Sequence, residues 1–336
     1  MSSFPFPGAR RRAAHLAWPL LLALALTACA GAATPPPSAT ATLPSLGLPP
    51  TATPAGPTDT PAPAFPVTLI DDEGTSVAIP AAPQRIVSLT PAATETLFAI
   101  GAGDRVAAKV EDITPYPPAA DALPVVATYQ GVDVEQIVAL KADLVIAGGL
   151  GFTPPAAVAQ LRSLGIPVIV LYAESVDEAL AGIDAVGVAT GDAEAAAQMT
   201  AAMRVEIDAL GSQTAGLDHP VTLYEVSYYN GIYTVPANSL YAEMLGLAGA
   251  DPITTDSSYQ ISLEKLVAAD PTVILLGDGE FAKPEDLAAR PGWSGIKAVV
   301  DGRIVVVNDT LITRPGPRLL EGLRELIKAL HPEVLI

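Results

Sequence analysis

The stretch VDVEQIVALKADLVIAGG (Val132–Gly149) carries the organisation of this chain in miniature, and ISLEKLVAADPTVILLGD (Ile261–Asp278) repeats it faintly. In both, a polar residue suited to capping a helix is followed two positions later by a glutamate. An apolar run comes next, and then a β-rich run. Asp133 is the expected cap of the first helix, with Gln136 three residues on, as in a capping box. Ser262 is the expected cap of the second. Glu135 and Glu264 then occupy the same place in the first turns of equivalent helices, where the helix dipole favours a carboxylate.

Working outward from this unit, RIVSL (Arg85–Leu89) reads as a buried strand. TPAATETLFAIGAG follows as a helix, with Thr90 as cap, Pro91 in the first turn and Gly101 as stop. RVAAKV, DLVIAGG and PVIVLY are further apolar strands separated by helical segments, and VTLIDDEGTSVAIP ahead of them is a hairpin. Alternating β and α elements with apolar strands predict a mainly parallel sheet covered on both faces. Asp192–Gly211 has no internal Gly or Pro and carries Met199, Met203 and Ile207 on one stripe, so it reads as one long helix. After it the pattern restarts with VTLYEV, SLYAEMLGLAG, TVILLG and RIVVVN. The fold class expected is α/β: two similar lobes with mainly parallel sheets, joined by a single long helix.

The 336 residues are half apolar and 16% charged, with a formal net charge of −18. Such an acidic chain repels a phosphate backbone, which argues against nucleic acid as a partner. The start is different: ARRRAAHLAWPLLLALALTAC is a cationic segment, a short apolar run and a small-residue end, as in a secretory signal. LTAC (Leu26–Cys29) resembles the bacterial lipobox, so Cys29, the only cysteine, is the expected lipidation site. The mature chain then holds no thiol for a disulfide or thiolate metal site. From Ala30 to about Ala64 proline, alanine and threonine dominate; this segment reads as an extended tether with a reach on the order of 100 Å. The expected organisation is residues 1–28 signal, 29–64 tether, 65–190 first lobe, 191–212 bridging helix and 219–336 second lobe. The protein is expected in the cell envelope, lipid-anchored and extracytoplasmic.

PQRIVSLTPAATETLFAIGAGDRV, YPP, TYQGVDVEQIVALKADLVIA and the late TRPGPR, in that order, resemble the periplasmic-binding-protein domain of ferric siderophore, haem and cobalamin importers. The resemblance covers about Phe65 to the C-terminus. It implies the helix-bridged, class III form of the fold, with ligand held between two lobes, and transfer to an ABC permease dimer driven by an ATPase. It also implies that Glu135 and Glu264 dock onto that permease, one charged knob per lobe. A monomer is expected, and no resident cofactor; the cargo is a metal chelate.

Ligands of open α/β sheets sit outside the carboxyl ends of the strands. The loops there contain Tyr129, Tyr228, Tyr229, Tyr233 and Tyr259, whose flat faces and hydroxyls suit a large planar ligand; some of these rings are expected to pack rather than to bind. His219 and His331, each beside a proline in an expected surface turn, are read as solvated, which disfavours a bare Zn²⁺ or Mn²⁺ site. Arg314 is the clear cation of these loops, with Arg318 nearby, so a neutral or weakly charged chelate fits better than a catecholate. The resemblance is closest to the cobalamin binders, which have an aromatic residue at Tyr129 and contacts at Tyr233 and Arg314. Where such binders have tryptophans this chain has Gly148 and Ser258, and their late-loop aspartate aligns near Thr310. A corrinoid such as vitamin B12 is the first expectation, a ferric hydroxamate siderophore the next, with haem behind. The chain has no Cys–His pair, no G-x-S-x-G elbow and no G-x-x-x-x-G-K loop, so no enzyme is expected.

Overall fold

The computed structural model describes residues 65–149, 151–278 and 283–334. The expected signal, Cys29 and the proline-rich tether lie outside the described residues. The first half opens on an antiparallel hairpin, β1 (Val67–Ile70) against β2 (Ser76–Ile79). It continues with β3 (Ile86–Ser88), α1 (Pro91–Ala99), β4 (Val106–Val110), β5 (Val125–Thr128) and β6 (Gly131–Val132). α2 (Val134–Ala139), β7 (Leu144–Gly148), α3 (Pro155–Ser163) and β8 (Val168–Leu171) complete it. The sheet order is β6-β5-β4-β3-β7-β8, parallel except where β6 turns back on β5.

A helical hairpin follows, α4 (Val176–Thr190) and α5 (Ala193–Thr214). The second half then runs β9 (Val221–Glu225), β10 (Ser227–Tyr228), β11 (Ile232–Tyr233), α6 (Leu240–Leu247), β12 (Asp251–Pro252), β13 (Gln260–Ile261) and α7 (Leu263–Ala269). β14 (Val273–Gly277), α8 (Pro284–Leu287), α9 (Lys297–Val300), β15 (Ile304–Val307), α10 (Asp309–Thr313) and α11 (Leu319–Leu330) close the chain. Its main sheet is β12-β9-β14-β15, all parallel, and β10-β11-β13 form a small antiparallel sheet beside it. The order β12-β9-β14-β15 repeats β4-β3-β7-β8, so the second half is a topological copy of the first.

Strand alternation explains why the apolar runs are continuous. Ile86, Leu144, Ile146 and Ile169 face one core, whereas Val87, Val145, Val168 and Val170 face another on the opposite side of the same sheet. In the second half Val273 and Leu275 join the first of these cores, and Ile274 and Leu276 a third. The inner faces of both sheets therefore share one apolar body with α4, α5, α6 and α11, while each outer face has its own cover.

α5 connects the two halves. At its start Arg105 donates to Thr190 O at 2.7 Å and pairs with Asp192. At its end the Thr214 hydroxyl donates to Leu247 O at 2.7 Å, on α6 of the second half. Its 22 residues span roughly 33 Å. The helix runs to Thr214, two residues beyond the expected bridging helix of 191–212. A Cβ at Gly211 would lie 3.2 Å from Leu247, so this glycine serves close packing against α6 rather than termination. α4 lies close against α5 at Gly187, where a Cβ would come within 2.4 Å of the Ala196 Cβ.

His331 departs from expectation. It is 4% exposed, with Nε2 3.2 Å from Gly249 O in the turn after α6, while His219 is exposed. Among the described residues no helix is long and apolar enough to cross a membrane, and no cluster of His, Cys, Asp and Glu has metal-holding geometry.

Candidate functional site

A cavity of about 260 Å³ lies between the halves. From the first half it is bordered by the start of α1 at Thr90, the ends of β7 and β8 at Gly148 and Tyr172, and one face of α4. From the second half it is bordered by Tyr241, Thr313 and Arg314. The start of α1 is set by its cap: the Thr90 hydroxyl accepts from Ala93 N at 3.1 Å, and Pro91 occupies the first turn. Gly148 is required by crowding, because a Cβ there would lie 2.7 Å from Thr90 Cγ2 and 2.8 Å from Phe152 Cβ.

Arg314 is the only cation among the described residues that line this cavity, and both of its Nη groups are engaged. Nη1 lies 2.8 Å from Glu95 Oε1 and 2.9 Å from Asp112 Oδ2; Nη2 lies 2.7 Å from Asp112 Oδ1 and 2.9 Å from the Thr114 hydroxyl. Arg318 completes the group, donating from Nε and Nη2 to the two Glu95 oxygens at 2.9 and 2.7 Å. Both arginines belong to the α10–α11 connection, and both carboxylates to the first half, so four charges of zero net sum bind the halves together. The Glu95 side chain is 1% exposed and that of Asp112 is 7% exposed. The Arg318 guanidinium also stacks over Tyr116 at 4.1 Å. The Thr114 and Thr310 hydroxyls approach to 3.1 Å, and Glu243 of α6 accepts from Val176 N at the start of α4 at 2.8 Å.

Asp309 sits beside this group at the end of β15. It accepts a hydrogen bond from the buried Tyr224 hydroxyl, and its own N–H donates to Asp278 Oδ1 at 3.1 Å. Burial raises its carboxyl above the ordinary value, the Tyr224 hydroxyl opposes this, Asp278 adds to it and Arg314 opposes it. Burial likewise raises the Tyr241 hydroxyl to about 12, with smaller contributions from Tyr259 and Asp309, so it stays protonated at neutral pH.

The tyrosines predicted from the loops separate into different surroundings. Tyr129, on the β5–β6 turn, is 92% exposed, and Tyr229 is 74% exposed. Register puts Tyr233 opposite both Ser227 and Gln260, while Tyr228 pairs with Ile232 on the other face of the same small sheet. Tyr233 accepts from Gln260 Nε2 at 2.5 Å. Tyr228, still 38% exposed, lies edge-on to Trp293 at 6.0 Å and 3.7 Å from the Arg290 guanidinium. Arg290 is held by a bidentate pair to buried Glu225, at 2.5 and 3.0 Å. Tyr259 adopts φ +60°, rare for a bulky side chain, after an Asp256 turn in which Ser258 N donates to Asp256 Oδ1 at 2.9 Å. None of the five borders the 260 Å³ cavity, whereas Gly148 and Arg314 do.

Glu95, Asp112, Asp309 and Tyr241 were missed by sequence reasoning. Glu95 left one trace: a charge among small and apolar residues on a helix, with two arginines four apart in a late loop.

Glu135 and Glu264 occupy matching first turns of α2 and α7. The caps are as expected, Asp133 accepting from Gln136 N at 2.8 Å and Ser262 from Lys265 N at 3.2 Å. Its own backbone N–H and the Ser262 hydroxyl hold Glu264 below the ordinary carboxylate range, which keeps it charged into mildly acidic conditions.

Two similar α/β halves on a long helix, with a cavity between them, define a helix-bridged binding protein. The chain belongs to the periplasmic binding protein family, whose sequence model matches residues 86–311. It is 34% identical over 276 residues to the uncharacterized ABC transporter substrate-binding lipoprotein YvrC of Bacillus subtilis (strain 168), a match covering 80% of this chain and 87% of that protein. It is 30% identical to the vitamin B12-binding protein of Pectobacterium carotovorum subsp. carotovorum (strain PC1), covering 74% and 89%. Among solved structures, the periplasmic vitamin B12 binding protein BtuF of Vibrio cholerae superposes with TM-score 0.63 at 28% identity, covering 74% of this chain and 97% of that one. The periplasmic heme-binding protein RhuT from Roseiflexus sp. RS-1 does so with TM-score 0.66 at 28% identity, covering 74% and 98%.

Proposed function

We propose that this substrate-binding protein captures a corrinoid, cobalamin foremost, outside the cytoplasm and delivers it to the permease of an ABC importer. The observation that carries the reading is the charge state of the cavity wall. Among the described residues its one cation, Arg314, is spent on Asp112 and Glu95, and its one carboxylate, Glu178, accepts from Glu174 N at 2.7 Å, so the wall offers no free cation to an anionic ligand and suits a chelate that carries little charge and is rimmed by amides. The exposed rings of Tyr129 on the β5–β6 turn and Tyr229 on the β10–β11 turn, with Tyr233 on β11, supply flat apolar surface for a macrocycle. The names of the Pectobacterium and Vibrio proteins support the same choice. In this reading Gly148 and Arg314 are the contacts on the cavity wall, Thr310 a contact beside the Arg314 group, Tyr129, Tyr228, Tyr229, Tyr233 and Tyr259 the rim, and Glu135 and Glu264 the docking knobs. Cys29 carries the lipid.

Haem is the second reading, favoured by the likeness to the heme-binding structure. Its carboxylates call for a free guanidinium, which this wall does not present. Calorimetric titration of the chain carrying Cys29→Ser with cobalamin, cobinamide, a ferric hydroxamate and haem tests the proposal. Saturable one-to-one heat with the corrinoids alone is expected; heat with haem or the hydroxamate alone refutes the corrinoid assignment.

A further inference from the structure

We infer that Asp112 is a built-in carboxylate seated where a ligand's own carboxylate would otherwise bind, and that it sets the charge selectivity of the cavity. This rests on the reading of that cavity as the chelate site. The contact is fork on fork: Arg314 Nη2 to Asp112 Oδ1 at 2.7 Å and Nη1 to Oδ2 at 2.9 Å. That is the arrangement in which arginine recognises a carboxylate in any ligand. Arg314 borders the cavity, whereas Asp112 is not among its lining residues. The aspartate is held in place independently of the arginine. It closes its own turn by accepting from Thr114 N at 3.0 Å, two residues beyond the end of β4.

Arg314 has no spare charge elsewhere in the group, because Glu95 is shared with Arg318. A ligand carboxylate that takes the Nη fork of Arg314 must displace Asp112 and leave that nearly buried group unpaired, which offsets the gain. A neutral amide at the same place asks for no displacement. The cavity is thus expected to take the amide form of a chelate and refuse its acid. A purely structural role for the pair, tying the halves together, affects stability but not this preference.

Two measurements test the assignment. In the first, Asp112→Ala opens the seat, and the melting temperature is compared in sodium formate and sodium chloride at matched ionic strength. Formate is expected to raise the midpoint of Asp112→Ala by about 2–4 °C over chloride. It is expected to leave the wild-type chain and the Asp112→Ala/Arg314→Gln double variant unmoved. Equal responses in all three overturn the seat. In the second, cyanocobalamin and a monocarboxylic derivative with one side-chain amide hydrolysed are titrated into wild type and Asp112→Ala. The wild-type preference for the amide is expected to fall by about tenfold in the variant, a change of ~1.4 kcal/mol. An unchanged ratio overturns the selectivity. If wild type binds neither corrinoid the corrinoid reading fails, and the formate comparison still decides whether the seat exists.

Discussion

Removing Glu95 is the sharpest single perturbation of the interface between the halves. Its carboxylate is 1% exposed and accepts three charge-assisted hydrogen bonds, one from Arg314 and two from Arg318. Glu95→Ala leaves two guanidinium groups, 13% and 15% exposed, with Asp112 as their only close carboxylate in this group. Breaking a buried pair by deleting one partner costs about 3–5 kcal/mol, mostly through the orphaned charge. For a domain of this size that is a fall in midpoint of roughly 6–20 °C. Urea denaturation followed by far-ultraviolet circular dichroism reads the same loss as a lower midpoint at unchanged slope. The variant Glu95→Leu/Arg318→Met separates charge from packing: it leaves Arg314 and Asp112 as a closed pair, so its loss should be only about 1 kcal/mol. A cost below ~1 kcal/mol for Glu95→Ala, or a double variant as unstable as the single one, refutes the argument.

Three further outcomes are expected. Gly148→Ala drives a methyl group into Thr90 and Phe152 and should lower stability by about 1–3 kcal/mol, read in the same urea titration. Asp309, raised by burial, binds its proton more readily folded than unfolded, so its effect on stability turns unfavourable as pH rises from the ordinary carboxylate value of 3.8 through the raised folded value. Asp309→Asn keeps an acceptor for Tyr224 and cannot ionise; its stability relative to wild type should therefore be higher at pH 7 than at pH 3.5, and the opposite slope contradicts the burial argument. Replacing Glu135 and Glu264 together by alanine should leave chelate affinity in calorimetry unchanged while abolishing uptake in whole cells; intact uptake removes them from docking.

Much of the architecture was legible from local pattern alone. Helix caps at Thr90, Asp133 and Ser262, the hairpin before β3 and the alternation of apolar strands with helices depend on residues close in sequence. Short-range chemistry specifies them directly. Repetition of one unit around Glu135 and Glu264 announced two similar halves before any strand order was known. The long helix was legible as well, to within two residues of its end; that Gly211 is a close-packing position appears only from its contact with α6. The same limit applied to His331, whose neighbouring proline suggests a solvated turn but whose ring is covered by residues more than eighty positions away.

The site was divided in the same way. Sequence placed Gly148, Arg314 and the tyrosines at strand ends, since a βα pattern dictates where loops fall. It did not distinguish Tyr228 from Tyr233, because strand register in the small sheet decides that Tyr228 meets Trp293 while Tyr233 meets Gln260. Nor did it show that Arg314 is already partnered. Glu95 and Asp112 stand some two hundred residues before it, and no periodicity reaches that far. Sequence by itself determined the elements, their repetition and the cast of polar residues. Tertiary structure alone decided which charges meet across the two halves, because an ion pair is a matter of distance in space and burial, and the folded packing sets both.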